Sequence, residues 1–215
     1  MTNSKSTKRA LLTSALALLM CVTMLVGATF AWFTDTASTG VNKIQAGNLD
    51  VKLMYSTDMQ TWKEATDQTK LFDDNALWEP GYTQVVYLKV VNAGNLALKY
   101  EAGFSKNYTS NRGKNVNGDW YRVDNYLKIG TAETATKFAN REDVWSAIAA
   151  TEKTLAKDVM LTDGWITLNA GEESAPFAVA IYMPTSVGNE ANASKNRPSS
   201  VSGLGIEVRA TQATV

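Results

Sequence analysis

APFAVAIYMP, residues 175–184, places Ala175, Phe177, Val179, Ile181 and Met183 on one side of an extended chain and stops at Pro184. Strict alternation over this length is the mark of a strand with a buried face. The pattern recurs to either side. Leu204, Ile206, Val208 and Ala210 repeat it near the C-terminus, and Trp165, Ile166 and Leu168 form a shorter version. Upstream, Leu49, Val51, Leu53 and Tyr55 alternate with Asp50, Lys52 and Met54. The β-branched run Val85 to Val91, broken only by Lys89, follows a Glu79-Pro80-Gly81 turn. Asn92-Ala93-Gly94-Asn95 has tight-turn chemistry, and Leu96 to Tyr100 is extended again, so the sequence predicts a hairpin here. Tyr121, Val123, Tyr126, Leu127 and Ile129 suggest one more strand. Residues 56–77 are polar and irregular, with Trp62, Leu71, Phe72 and Leu77 expected to point inward, and 105–119 reads as a surface loop. One stretch is helical in character. Asn140 can cap it, Glu142 and Asp143 suit its first turn, and Val144, Trp145, Ile148, Ala149 and Leu155 lie near one face. Seven to nine strands with one inserted helix make a mainly β fold, an antiparallel β-sandwich.

The N-terminus is of another kind. Lys5, Lys8 and Arg9 precede an apolar run from Ala10 to Phe33, the order an export machine reads as a leader. At about 24 residues the run can cross a bilayer core, so it can serve as a cleaved signal or as an uncleaved anchor. Gly27, Ala28, Thr29 and Ala31 form the small-residue stretch a peptidase needs. A cut between Ala31 and Trp32, with Thr29 two places earlier, fits; Ala28 with Val26 is the alternative. The expected organisation is a signal segment at 1–31, an N-terminal arm at 32–45 and a β-sandwich domain at 46–215, with a secreted or cell-surface product. The single cysteine, Cys21, lies inside the apolar run, and Leu18, Leu19 and Met20 ahead of it lack the small residue of a lipoprotein signal. The exported part therefore relies on packing without disulfides, which favours a bacterial product.

Composition narrows the chemistry. The 215 residues carry 21 basic and 21 acidic side chains, and the three cations of the leader leave 18 against 21 behind it. A mildly acidic product has no footprint for nucleic acid, and contact with membrane is expected only through the signal segment. There is no histidine, which removes the commonest general base, the Ser-His-Asp and Cys-His arrangements and histidine zinc sites. No catalytic residue, cofactor or metal site is assigned, and an enzyme is not expected. Asp73-Asp74 and Asp163 are ordinary turn residues; Asn115, Asn117 and Asp119 have calcium-loop spacing, but Gly118 is misplaced and no bidentate glutamate follows. Trp78, Trp120, Trp145 and Trp165 suit a core, whereas a sugar-stacking surface would draw on Trp62, Trp120, Tyr108 and Tyr121.

Three blocks carry a family resemblance. AWFTDTAST (Ala31 to Thr39) is followed by IQAGNLDVKL (Ile44 to Leu53), with Phe33, Asp35, Ala46, Gly47, Asn48, Leu49 and Asp50 in the signature positions. Trp78-Glu79-Pro80-Gly81 runs on through Val90, Asn92, Gly94, Asn95, Leu96, Ala97 and Tyr100. Ala170-Gly171-Glu172-Glu173, Met183-Pro184, Gly188-Asn189-Glu190 and Ala210-Thr211-Gln212 close the set. In order and spacing these resemble the TasA/camelysin (CalY) family of Gram-positive proteins exported on a SipW-type signal peptide, and most of all its alternate signal-mediated exported members.

The resemblance implies a jelly-roll subunit of a biofilm matrix or surface fibre. A SipW-type signal peptidase would free the N-terminal segment, which then joins a neighbour's sheet. Self-association, or association with other matrix proteins, is the partnership expected. The segment Trp32 to Lys43 has donor-arm character, with Phe33, Val41 and Ile44 as apolar pegs; folded back, the same segment would be the subunit's own first strand. The alternatives are a monomeric secreted or surface binding module and, through camelysin, a metallopeptidase.

Overall fold

The strand predicted at 175–184 lies at the heart of a six-stranded antiparallel sheet and is buried on both faces. The computed structural model describes residues 9–21, 34–38, 49–73, 76–104, 108–157 and 159–213. Over these residues the chain is mainly β, its sheets are antiparallel, and it has two α-helices. Helix α1 covers residues 9–21 and is exposed along its length. Strands β1 (Thr34–Ser38), β2 (Val51–Ser56), β3 (Lys63–Glu64), β4 (Thr83–Asn92) and β5 (Leu98–Phe104) come next. Three short strands, β6 (Thr109–Asn111), β7 (Gly113–Lys114) and β8 (Trp120–Tyr121), lead to the longer β9 (Lys128–Glu133). Helix α2 (Arg141–Ile148) precedes β10 (Lys153–Thr154), β11 (Ile166–Leu168), β12 (Phe177–Tyr182), β13 (Ser200–Ser202) and β14 (Ile206–Gln212).

Two sheets hold the core. The larger has the order β10-β9-β12-β4-β2-β3 and the smaller β1-β14-β5-β11. Their inward residues merge in one cluster: Leu53, Val86, Leu88, Val90, Val179 and Ile181 from the first, Leu98, Tyr100, Phe104, Ile206 and Val208 from the second. Burial of such side chains contributes about 1.5–3 kcal/mol each before chain entropy opposes it. The outer face of β12 is also covered, because α2 packs Val144 and Ile148 against Ala180 and Tyr182. Gly130 on β9 permits that approach. A Cβ there would lie 2.7 Å from the Cβ of Ile148. The helix starts as expected, the Asn140 side chain accepting from the Asp143 N–H at 2.9 Å. It ends earlier, however: Ala149 is exposed, and Leu155 leaves the helical face to enter the main core.

The predicted hairpin at Asn92-Ala93-Gly94-Asn95 does not form. β4 and β5 belong to different sheets, so this turn carries the chain across the core rather than back along its partner. The reason is Asn92, which is 0 % exposed. Its side-chain amide donates to the carbonyls of Leu96 (2.8 Å), Leu168 (3.3 Å) and Asn169 (2.9 Å). Its side-chain oxygen accepts from the Gly94 N–H at 3.0 Å. Its backbone N–H donates to Glu172 O, and its carbonyl accepts from the Gly171 N–H. A second crossing, from β11 to β12, turns at the same point through Asn169 to Glu172, with Gly171 at a φ of +75°. One buried amide thus closes both corners.

Three more expectations are corrected. Leu77 is 87 % exposed rather than inward, because the chain entering the Pro80-Gly81 turn buries Phe72 and half-buries Trp78 instead. The 105–119 segment is more than a surface loop: it contributes β6, β7 and the buried Tyr108 and Asn115. The strand expected over 121–129 is interrupted by a 3-10 turn at Val123–Tyr126, which explains its imperfect alternation.

Replacing the buried amide tests this corner. Asn92→Ala removes three bonds to carbonyls and leaves the Gly94 N–H without its acceptor, and should lower unfolding stability in urea by roughly 3 kcal/mol or more, at about 1 kcal/mol per lost bond. Asn95→Ala, at an exposed position, should stay within about 0.5 kcal/mol. Equal small losses would mean the corner does not depend on Asn92.

Candidate functional surfaces

Two regions carry functional potential: the N-terminal arm and the loop aromatics. In the arm, the cleavage pair Ala31 and Trp32 and the apolar positions Phe33, Val41 and Ile44 lie outside the described residues. Between them β1 pairs antiparallel with β14, from Thr34 opposite Thr211 to Ser38 opposite Glu207. It is the outermost strand of the smaller sheet. The arm thus contributes a strand at an edge of its own chain's sheet, and its partner β14 is bonded on the other side to β5 over seven residues. Among the described residues no helix is long and apolar enough to cross a membrane.

The loop aromatics divide sharply. Tyr108 is 3 % and Tyr121 7 % exposed, so neither offers a stacking surface. Tyr108 donates to Asp124 at 2.7 Å, and Ser110 donates to the other oxygen of the same carboxylate at 2.6 Å. Burial, and then the Asp124 carboxylate, push the Tyr108 hydroxyl well above the usual phenol range. Trp62 is half-buried beneath Lys89, whose ammonium stands 5.0 Å from the ring centroid. Trp78 packs edge-on against Tyr82, and Trp145 stacks on Tyr182 at 5.2 Å while donating to Thr83 Oγ1. Trp165, expected in the core, stands at the surface with Ile166 beside it.

Trp120 is the exception, 51 % exposed and ringed by cations. The Arg112 guanidinium is 5.1 Å from the ring centroid, the Lys114 ammonium 5.2 Å and the Arg197 guanidinium 5.7 Å. The sequence singles out the ring but not the charges. Arg112 immediately precedes the paired strand β7, and Lys114 on that strand lies directly opposite Trp120. Arg197 comes from a distant loop, and only the fold brings it close.

The calcium-like spacing has another explanation. The Asn115 side-chain oxygen accepts from the N–H groups of Asn117 (3.1 Å) and Asp119 (2.8 Å), and Gly118 takes a φ of +88°. This is the staple of a tight turn between β7 and β8. Asp163 lines an open cavity of about 850 Å³ with Glu133, Glu173, Tyr100, Ile166 and Phe177. Among the described residues no group of three or more Asp, Glu, Cys or His side chains is arranged to hold a metal ion.

With the geometry in place, comparison against protein-family models, curated proteins and solved structures finds no match to this chain.

The buried phenols set the alkaline limit of the fold. Burial raises Tyr87 and Tyr100, and burial together with the Glu152 carboxylate pushes Tyr182 up to about 12. A folded-state value above the unfolded one favours the protonated form, so this stability is complete below pH about 10 and falls as pH rises through about 12. Tyrosinate absorbance at 295 nm should therefore show a delayed set of phenols that ionise together with unfolding. All eight tyrosines titrating near pH 10 in the folded chain would contradict this.

Proposed function

We propose that the chain is an exported structural protein of the cell surface or extracellular matrix. In this reading it is a jelly-roll-like β-sandwich that assembles by strand addition once its leader is cut at Ala31–Trp32. The observation that carries the reading is the pairing of β1 with β14. The only described part of the arm is an edge strand, held by backbone bonds to a strand that is firmly integrated in the sheet. A bond set of this kind is indifferent to which copy supplies the strand, because backbone groups recognise backbone groups. A leader still in the membrane would tether the arm to its own subunit, so cleavage acts as the release step. Partners under this reading are further copies of the chain or other matrix proteins, with a SipW-type peptidase acting during export.

A second reading, a monomeric secreted or surface module, is favoured by the same strand. β1 already satisfies β14 within one chain, over five residue pairs. The two readings differ in the fate of the arm once the leader is gone: it joins a second copy in the first and stays on its own sheet in the second.

N-terminal sequencing of the secreted protein together with its size distribution decides between them. The structural reading expects a terminus at Trp32 and concentration-dependent assemblies, by light scattering, that disappear when Asp35 and Ala37 are replaced by proline to remove β1 amide donors. A single monomeric species up to hundreds of micromolar would overturn it in favour of the module.

A further inference from the structure

We infer that the cluster of Trp120, Arg112, Lys114 and Arg197 is a docking surface for an acidic polysaccharide, one whose sugar rings carry carboxylates. It depends neither on assembly nor on the arm, since it lies on the β7–β8 hairpin outside both large sheets.

The cluster is built rather than incidental. Asn115 staples the hairpin turn and anchors it to the next loop, its amide donating to Glu190 O at 3.3 Å. The loop at 192–197 runs alongside β7: Val116 donates to Asn192 O, Ser194 to Lys114 O, and Lys114 to Arg197 O. Gly113 makes the last approach possible, since a Cβ there would lie 2.3 Å from Ser199 N and 2.7 Å from Arg197 O. That backbone contact brings Arg197 to the ring already holding Arg112 and Lys114.

Three cations gathered within 6 Å of one ring repel one another, and the ring's quadrupole offsets only part of that repulsion. Among the described residues no carboxylate pairs with any of the three, although the chain has equal numbers of acids and bases overall. Asp119, next to the ring in sequence, directs its backbone N–H to Asn115 and makes no ion pair. The two exposed guanidinium forks keep their hydrogen-bond donors for an external anion, and their planar geometry matches a carboxylate in two-point contact. The uncovered part of Trp120 offers an apolar surface to a sugar ring. Nucleic acid fits less well. Its binding draws on an extended basic track and successive stacking aromatics, and here one aromatic and three cations stand alone.

The test uses the full chain in mild detergent and alginate as the carboxylated probe, with neutral dextran and a single-stranded oligonucleotide of equal charge beside it. Alginate should be retained at low salt, dextran should not, and log K should fall against log salt with a slope of about −2, as expected for three cations on a flexible polyanion. Arg112→Glu with Arg197→Glu should weaken alginate binding at least tenfold, and Trp120→Ala should weaken it while circular dichroism and Tm stay near the parent values. Lys137→Glu, a distant exposed cation, should leave it unchanged. Alginate that fails to bind, binds the double variant equally, or binds more weakly than the oligonucleotide overturns the proposal.

Discussion

A single buried amide, that of Asn92, ties the two sheets together. A polar side chain with no access to water is tolerated only when every donor and acceptor is matched, and each of its groups has a partner. Those partners lie on two of the crossings between the sheets, the turn after β4 and the turn after β11. The hydrophobic effect brings the apolar faces together but is indifferent to where the chain crosses. The amide supplies what apolar packing lacks, a geometric requirement that only one arrangement of the two corners satisfies. The surrounding residues agree with it: Ala93 donates to Asp50 O, and Ser174 exchanges bonds with Val90 through both its backbone and its side chain.

Strand existence was legible wherever apolar residues alternate. The runs at 49–55, 175–184 and 204–210 each contain a β-strand. Pairing was not legible in the same way. Asn-Ala-Gly-Asn is compatible with a tight hairpin, and local chemistry cannot distinguish a return along the partner strand from a crossing to the opposite sheet. What decides is Asn92's contact with Leu168 and Asn169, residues far along the chain. The same limit explains the stretch at 121–129. Its apolar residues serve the core from a 3-10 turn as well as from a strand, so periodicity blurs. Tyr108 stands in a polar stretch that reads as surface, yet its buried hydroxyl finds its partner in Asp124, which lies beyond that stretch and whose other oxygen accepts from Ser110.

The surfaces obey the same division. Under the proposed readings, recognition falls to the arm strand at one edge of the smaller sheet and to the small β7–β8 hairpin. In the arm, backbone pairing is generic and its effect depends on which copy provides it. In the hairpin, a tryptophan and three cations are held by a stapled turn and a glycine that admits a neighbouring loop. The sequence singles out the ring alone, although Arg112 and Lys114 lie close to it along the chain. Arg197 arrives through a backbone contact that no local pattern encodes.

Amide hydrogen exchange on the folded chain measures the central claim directly. If Asn92 closes both corners, the amides of Asn92, Ala93, Gly94 and Gly171 will exchange at the slow rate of global unfolding, together with the core of β4. If residues 92–95 are instead a solvent-facing hairpin turn, Ala93 and Gly94 will exchange as fast as exposed loops, and Asn92 does not hold the sheets together.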